Sequence, residues 1–166
     1  LSRNYFEQSE FLSDGVKVKI LVDADALPGA ARDIIFRAAE RVKVPAILVA
    51  NKQLRIPESE FISFEMIEQG FDVADGRIVE LREPGDLIVT ADIPLAAEVV
   101  ARGGLAVDPR GQLYSEENIK ERLFVRDFMD TLRKSGATTG GPAPYGKKEC
   151  QAFANQLDRL LARRKY

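Results

Sequence analysis

"KILVDADALPG", Lys19 to Gly29, sets three apolar residues (Ile20, Leu21, Val22) directly before two acids one residue apart, Asp23 and Asp25. A proline and a glycine then break the run. It reads as a buried strand that delivers two carboxylates at its end. "GAARDIIFRAAERVK" (29–43) follows, with Ile34, Ile35, Ala38, Ala39 and Val42 at helical spacing, and "AILVA" (46–50) is a second apolar strand.

The same alternation continues along the chain. "EFISFEMI" (60–67) alternates as a third strand, "VADGRIVELRE" (73–83) reads as a short helix, and "DLIVT" (86–90) is again a strand. "PLAAEVVARG" (94–103) is a helix ended by glycine, and "GLAVD" (104–108) is the last strand. Two longer helices, about 115–134 and 147–164, follow around the loop "SGATTGGPAPYG". Continuous apolar strands alternating with helices predict a three-layer α/β/α fold: a mostly parallel central sheet of about five strands, with extra C-terminal helices. Ligands in such folds bind at the carboxyl ends of the strands. Polar residues recur at that edge: Asp23 and Asp25 after the first strand, Asn51 after the second, Thr90 and Asp92 after "DLIVT", and Asp108 after the last.

Composition narrows the chemistry. The 166 residues suit one domain over 17–166; residues 1–16, which lack an initiator Met, are set aside as an extension expected to be tag-derived or disordered. An apolar fraction of 45% and a charged fraction of 30% are those of an ordinary soluble protein. No apolar run suits a membrane span, and one cysteine, Cys150, allows no internal disulfide; both fit a cytoplasmic protein. Histidine is absent, which excludes Ser-His-Asp and Cys-His nucleophilic sites and His-ligated zinc. A metal here would be held by oxygen, which points to Mg2+ or Mn2+ ahead of calcium. Charge is unevenly spread: Glu68–Asp92 carries seven acids against two arginines, and Lys147–Tyr166 six bases against two acids. That suits a metal site flanked by a phosphate-binding surface, and equally two solvated faces of opposite sign.

Three acidic groups carry the functional reading. Capping of the helix near Pro28 accounts for one of Asp23 and Asp25, and less well for both. In "GFDVADGRIVE", Asp72 suits a helix cap and Asp75 the first turn. In "GDLIVTADIPLA", Asp86 and Asp92 bracket a strand, with Thr90 beside the second acid. Parallel strands share one carboxyl edge, so Asp23 and Asp92 can converge there. Converging carboxylates repel, and a divalent cation offsets that repulsion. Two such ions roughly 4 Å apart can activate a water and stabilise the leaving oxygen of a phosphodiester. Lys52 and Arg55 after the second strand, and Arg110 in "DPRG", are the candidate phosphate contacts. Arg122, Arg126 and Arg133, on a helix with as many acids as bases, read as surface ion pairs.

"VDADALP", "ANKQLRIP", "GFDVADGRIVE", "PGDLIVTADIPLAAEVV", "DPRGQLYSEENI", "RDFMDTLRKSG" and "TGGPAP" together resemble the uncharacterised bacterial YaiI/YqxD family, from about Val16 to near the C-terminus. That family is placed with the PIN-like nuclease folds. The resemblance implies Asp23, Asp75 and Asp92 as catalytic metal ligands, Asp25 and Asp86 as further metal-binding acids, and Thr90 in support; Asn51 and Asp72 join the supporting candidates by their positions in the chain. It implies nucleic acid as partner, RNA rather than DNA. Leu27 stands where the family pattern usually has Cys ("DADACP"), which argues against a catalytic thiol in this chain.

Two other readings stay open. "DADAL" also resembles the D-x-D signature of haloacid-dehalogenase-type phosphatases, with Asp23 as nucleophile, although no clear counterpart of the later helical lysine follows. The third is a non-catalytic nucleotide- or RNA-binding module on the same fold. Oligomeric state is not legible in the sequence.

Overall fold

The computed structural model describes residues 18–70, 73–138, 140–141 and 143–162. The extension expected over 1–16 and the supporting residue Asp72 lie outside them. Five strands, β1 (Ile20–Asp23), β2 (Ala46–Ala50), β3 (Ile62–Met66), β4 (Leu87–Val89) and β5 (Leu105–Val107), form one sheet in the order β3-β2-β1-β4-β5. Every pairing is parallel. Five helices connect or follow them among the described residues: α1 (Gly29–Val42), α2 (Val73–Leu81), α3 (Ile93–Ala101), α4 (Glu116–Lys134) and α5 (Lys147–Ala162). The expected α/β/α architecture with a five-stranded parallel sheet and two added C-terminal helices is what forms.

Alternation within each strand divides the core. Ile20 and Val22 of β1, Leu48 of β2 and Val89 of β4 face one side, packed by Ile34, Ile35 and Ala38 of α1 and by Phe153, Leu157 and Leu161 of α5. Leu21, Ile47, Val49, Ile88 and Ala106 face the other, under Ile78 of α2, Leu95 and Val99 of α3 and Ile119 of α4. Strands buried on both faces are apolar throughout, which is why β1, β2 and β4 read as unbroken runs. Removing these side chains from water is the main stabilising term, about 1.5–3 kcal/mol for each large aliphatic.

Strand order locates the crevice. From β1 the chain steps outward to β2 and β3, then returns across the sheet to β4 on the other side of β1 and steps outward again to β5. The reversal lies between β1 and β4. Loops leave those two strands in opposite directions, opening a cleft outside their carboxyl ends where open α/β sheets bind ligands.

The C-terminal segment is clamped to the β5 end of the sheet. Tyr145 Oη donates to the Pro109 carbonyl at 2.7 Å. Gly111 has φ +94°, and a Cβ there would stand 2.6 Å from the Ala152 backbone. A glycine is therefore required twice over, for conformation and for approach. Arg41 and Asp158 pair across α1 and α5.

Candidate active site

The register of the sheet sets up the site. Val22 of β1 lies beside Val89 of β4, which lies beside Val107 of β5. One residue further on, Asp23, Thr90 and Asp108 continue the row. Side chains alternate, so all three share the face of Leu21, Ile88 and Ala106, the face covered by α2, α3 and α4. The strand ends thus bring a carboxylate, a hydroxyl and a second carboxylate to one edge.

Thr90 is fully buried and links the first two parts. Its Oγ1 donates to Asp23 Oδ2 at 2.8 Å and accepts the Asp92 backbone N–H at 2.9 Å. With a lone pair held by that amide, the hydroxyl hydrogen is directed at Asp23. Asp92 is the N-cap of α3, where its Oδ1 accepts the Leu95 N–H at 3.1 Å, and Pro94 follows in the first turn. The cap accounts for an aspartate at this position by itself. It also holds the carboxylate beside Asp23.

Burial raises the Asp23 carboxyl above the ordinary carboxylate value. The Thr90 hydrogen bond opposes this, and the charges of Asp92 and Asp25 add to it. Asp23 is therefore a carboxylate held under repulsion, at the switch point of the sheet.

Asp25 is placed differently from Asp23. Both its oxygens accept the Asn51 N–H, at 3.0 and 3.1 Å, which ties the loop after β1 to the loop after β2. Lys52 Nζ donates to the Asp25 carbonyl at 3.3 Å, and Arg55 is exposed on the same loop. Asn51 and Lys52 thus stand beside Asp25 at the carboxyl edge. Asp75 is half-buried in the first turn of α2. α2 enters from the loop after β3 and runs back under β1 and β2, so its first turn lies at the same edge.

One expected site residue, Asp86, lies elsewhere, and another, Arg110, is engaged by other partners. Asp86 immediately precedes β4, so a parallel sheet puts it at the amino edge, at the opposite end of the strand from Thr90. There it is buried, accepts the backbone N–H groups of Lys19 (3.1 Å) and Glu83 (2.8 Å), and pairs with Lys19 Nζ. It locks the starts of β1 and β4 together and contributes nothing to the crevice. Arg110 is taken up by the C-terminal segment: its guanidinium donates to the carbonyls of Ala143 and Pro144 and lies 5.8 Å from the Tyr145 ring centroid. These contacts clamp that loop to the end of β5.

Asp108, Tyr114 and Arg122 form a support whose role the sequence did not reveal. Asp108 is buried; its Oδ1 accepts the N–H groups of Arg110 and Gln112, and its Oδ2 accepts Arg122 Nη2 at 2.9 Å. The Arg122 guanidinium lies over the Tyr114 ring, 4.5 Å from its centroid. Tyr114 Oη donates to the Thr90 carbonyl at 3.1 Å, and burial pushes its pKa up to about 12. Arg122 is thus no surface pair; it braces the strand end that presents Thr90. The signal available in the sequence was the matching position of Asp108 at the end of "GLAVD".

Among the described residues, no three of Asp, Glu, Cys and His stand together as a ready-made metal cage. What they offer is the pair Asp23 and Asp92, bridged through Thr90, with Asp25 close enough to be felt. That donor set suits Mg2+ or Mn2+, which keep several waters and complete their coordination with substrate phosphate, better than calcium, which takes more protein oxygens.

A parallel sheet with its strand order reversing between β1 and β4, and carboxylates gathered at that reversal, makes this a three-layer α/β protein with an acidic switch-point crevice. The chain belongs to the uncharacterised bacterial YaiI/YqxD family, which it matches over residues 21–163. It is 59% identical over 146 residues to a UPF0178 protein of Shewanella loihica, covering 88% of this chain and 97% of that protein. Similar relatives, also named UPF0178 proteins, come from Hahella chejuensis (56% identical, 88% and 97% covered) and Cronobacter sakazakii (57%, 88% and 97%). No solved structure matches the chain. Among the described residues, no helix is long and apolar enough to cross a membrane.

Proposed function

We propose that the protein is a Mg2+- or Mn2+-dependent nuclease that hydrolyses phosphodiester bonds of RNA. The observation that carries this reading is the Asp23–Thr90–Asp92 arrangement at the switch point, in which a partly buried carboxylate is held against two others. A cation relieves that repulsion, so the site gains more from binding one than a dispersed acidic surface would. Asp23 and Asp92 would hold the ion, with Asp75 approaching from α2 and Asp25 keeping the two loops in place. When bound, it would supply positive charge to the phosphodiester oxygens. The protein's own part is to orient Asp23 through Thr90 and to meet flanking phosphates with Lys52 and Arg55. Likeness of the motifs to PIN-like nucleases supports the choice of reaction and of RNA.

The phosphatase reading fares less well. It asks the second acid of D-x-D to handle a proton beside the first, whereas both oxygens of Asp25 are engaged by the Asn51 amide.

The test is calorimetric titration with Mn2+ on wild type, Asp23→Asn and Asp92→Asn, followed by cleavage of single-stranded RNA and DNA oligonucleotides. Metal binding that either substitution abolishes, with RNA cleavage lost in parallel, is the expected result. Oligonucleotide binding without metal uptake or turnover would move the protein to the binding-module class.

A further inference from the structure

Helix α4 is the least buried long element of the protein. Of its 19 residues only Ile119 is buried, and the opposite side carries Phe124 (71% exposed) and Phe128 (53%), with Val125 (51%) beside them. The two phenyl rings lie nearly parallel, with centroids 6.4 Å apart. A pair of stacked aromatics left in water at the middle of a well-capped helix is an unusual exposure for a monomer, and it marks an interaction surface.

The distribution of charge around the pair indicates what covers it. Residues 117, 121, 124, 128, 131 and 135 follow one another at spacings of four and three, so they form one stripe: Glu117, Glu121, Phe124, Phe128, Thr131, Ser135. The stripe is apolar at its centre and polar at both ends, the pattern of a small interface with a rim. Along one flank run Glu116, Lys120, Asp127, Asp130 and Lys134. This flank is self-complementary when reversed. Turning a second helix end for end about the level of Val125 sets Glu116 against Lys134 and Lys120 against Asp130. The same rotation brings Phe124 and Phe128 of the two copies together at the centre of the seam, within a helical turn of one another. Glu116 and Lys120 form no ion pair among the described residues, and Lys134 reaches Asp130 only at 4.0 Å, so these groups are available to exchange. Opposed helix dipoles favour the same direction.

We propose that α4 is the dimer interface of this protein, pairing antiparallel with α4 of a second copy around Phe124 and Phe128. The switch-point crevice plays no part in the argument, so the dimer stands or falls separately from the catalytic reading. A contact between two helices of this length is at the small end of stable interfaces, so the dissociation constant is expected on the order of 10–100 μM.

Sedimentation velocity of the full chain from about 1 μM to about 300 μM spans that range. The expected result is a concentration-dependent shift from a species of 18.4 kDa to one of twice that mass. Phe128→Glu, at an exposed position that the fold does not need, should leave the circular dichroism spectrum unchanged and hold the chain monomeric throughout. Lys120→Glu should weaken the dimer about tenfold, and Lys120→Glu with Asp130→Lys should restore it. A wild type that stays monomeric, or a Phe128→Glu variant that dimerises like wild type, overturns the proposal. If Phe128→Glu abolishes the dimer but the double charge exchange restores nothing, the antiparallel arrangement is overturned.

Discussion

Thr90 Oγ1 donates to Asp23 Oδ2 at 2.8 Å and accepts the Asp92 N–H at 2.9 Å, so one buried hydroxyl joins the ends of β1 and β4 to the first turn of α3. Replacing Thr90 with valine keeps the volume and removes both bonds. The Asp92 amide is then left without its acceptor in the interior, at a cost of about 1–3 kcal/mol. Asp23 also loses the interaction that opposes its raised pKa. Thr90→Val should therefore lower the unfolding free energy by that amount in urea titrations, and weaken Mn2+ binding about tenfold, as the loss of groups that orient metal ligands typically does.

Asp23 itself should carry the opposite sign. Its pKa in the folded protein is raised above the ordinary aspartate value of 3.8, so its contribution to stability is intact below that value and is lost as pH rises through the folded one. At neutral pH without metal, the charged carboxylate works against folding. Asp23→Asn removes the charge, and should raise the melting temperature of the chelated protein at pH 7 by about 2–4 °C, the equivalent of about 1 kcal/mol in a chain of this size. Saturating Mn2+ should stabilise wild type and leave the variant unmoved. A variant that melts lower than wild type in chelator would show that Asp23 is an ordinary structural carboxylate.

Asp86 and Asp23 are both aspartates beside apolar strands, and mutation should tell them apart. Asp86→Ala removes the shorter of the ion pairs of the buried Lys19, whose other carboxylate, Glu83, stands at 3.6 Å, and strips two backbone amides of their acceptor. Removing one member of a buried pair typically costs about 3–5 kcal/mol. Severe destabilisation is therefore expected, while whatever protein remains folded should bind Mn2+ as wild type does.

The mistaken expectation for Asp86 shows where sequence reading ends. Apolar runs and helical spacing gave the strands and helices of the sheet, because burial on both faces leaves its mark residue by residue. They also gave the carboxyl edge, since chain direction alone puts Asp23, Asn51, Thr90 and Asp92 there. The same reasoning, carried through, places Asp86 at the start of its strand and so at the other edge; proximity to Asp92 in sequence hid that. Arg110 is a different case. Its commitment to the Ala143 and Pro144 carbonyls depends on how the segment before α5 folds back over the end of β5, and no local pattern records that path. Arg122 was hidden in the same way: its partner Asp108 lies on another element, and a helix with equal numbers of acids and bases gives no sign of which arginine turns inward.

Tyr114 links that support to the site and supplies a pH signature. Its hydroxyl donates to the Thr90 carbonyl at 3.1 Å, and burial pushes its pKa from 10.0 up to about 12. A phenol with a raised folded pKa contributes stability that is fully present below pH 10 and is lost as pH rises through about 12. Tyr114→Phe should therefore be less stable than wild type by about 1 kcal/mol from pH 7 to pH 9, the net worth of one buried hydrogen bond. Above pH 10 the wild type should lose that advantage and the variant should not, so the two melting curves converge and then cross. Parallel melting curves for both proteins up to pH 11 would mean that the hydroxyl already meets water, and that Tyr114 braces the strand end through its ring against Arg122 alone.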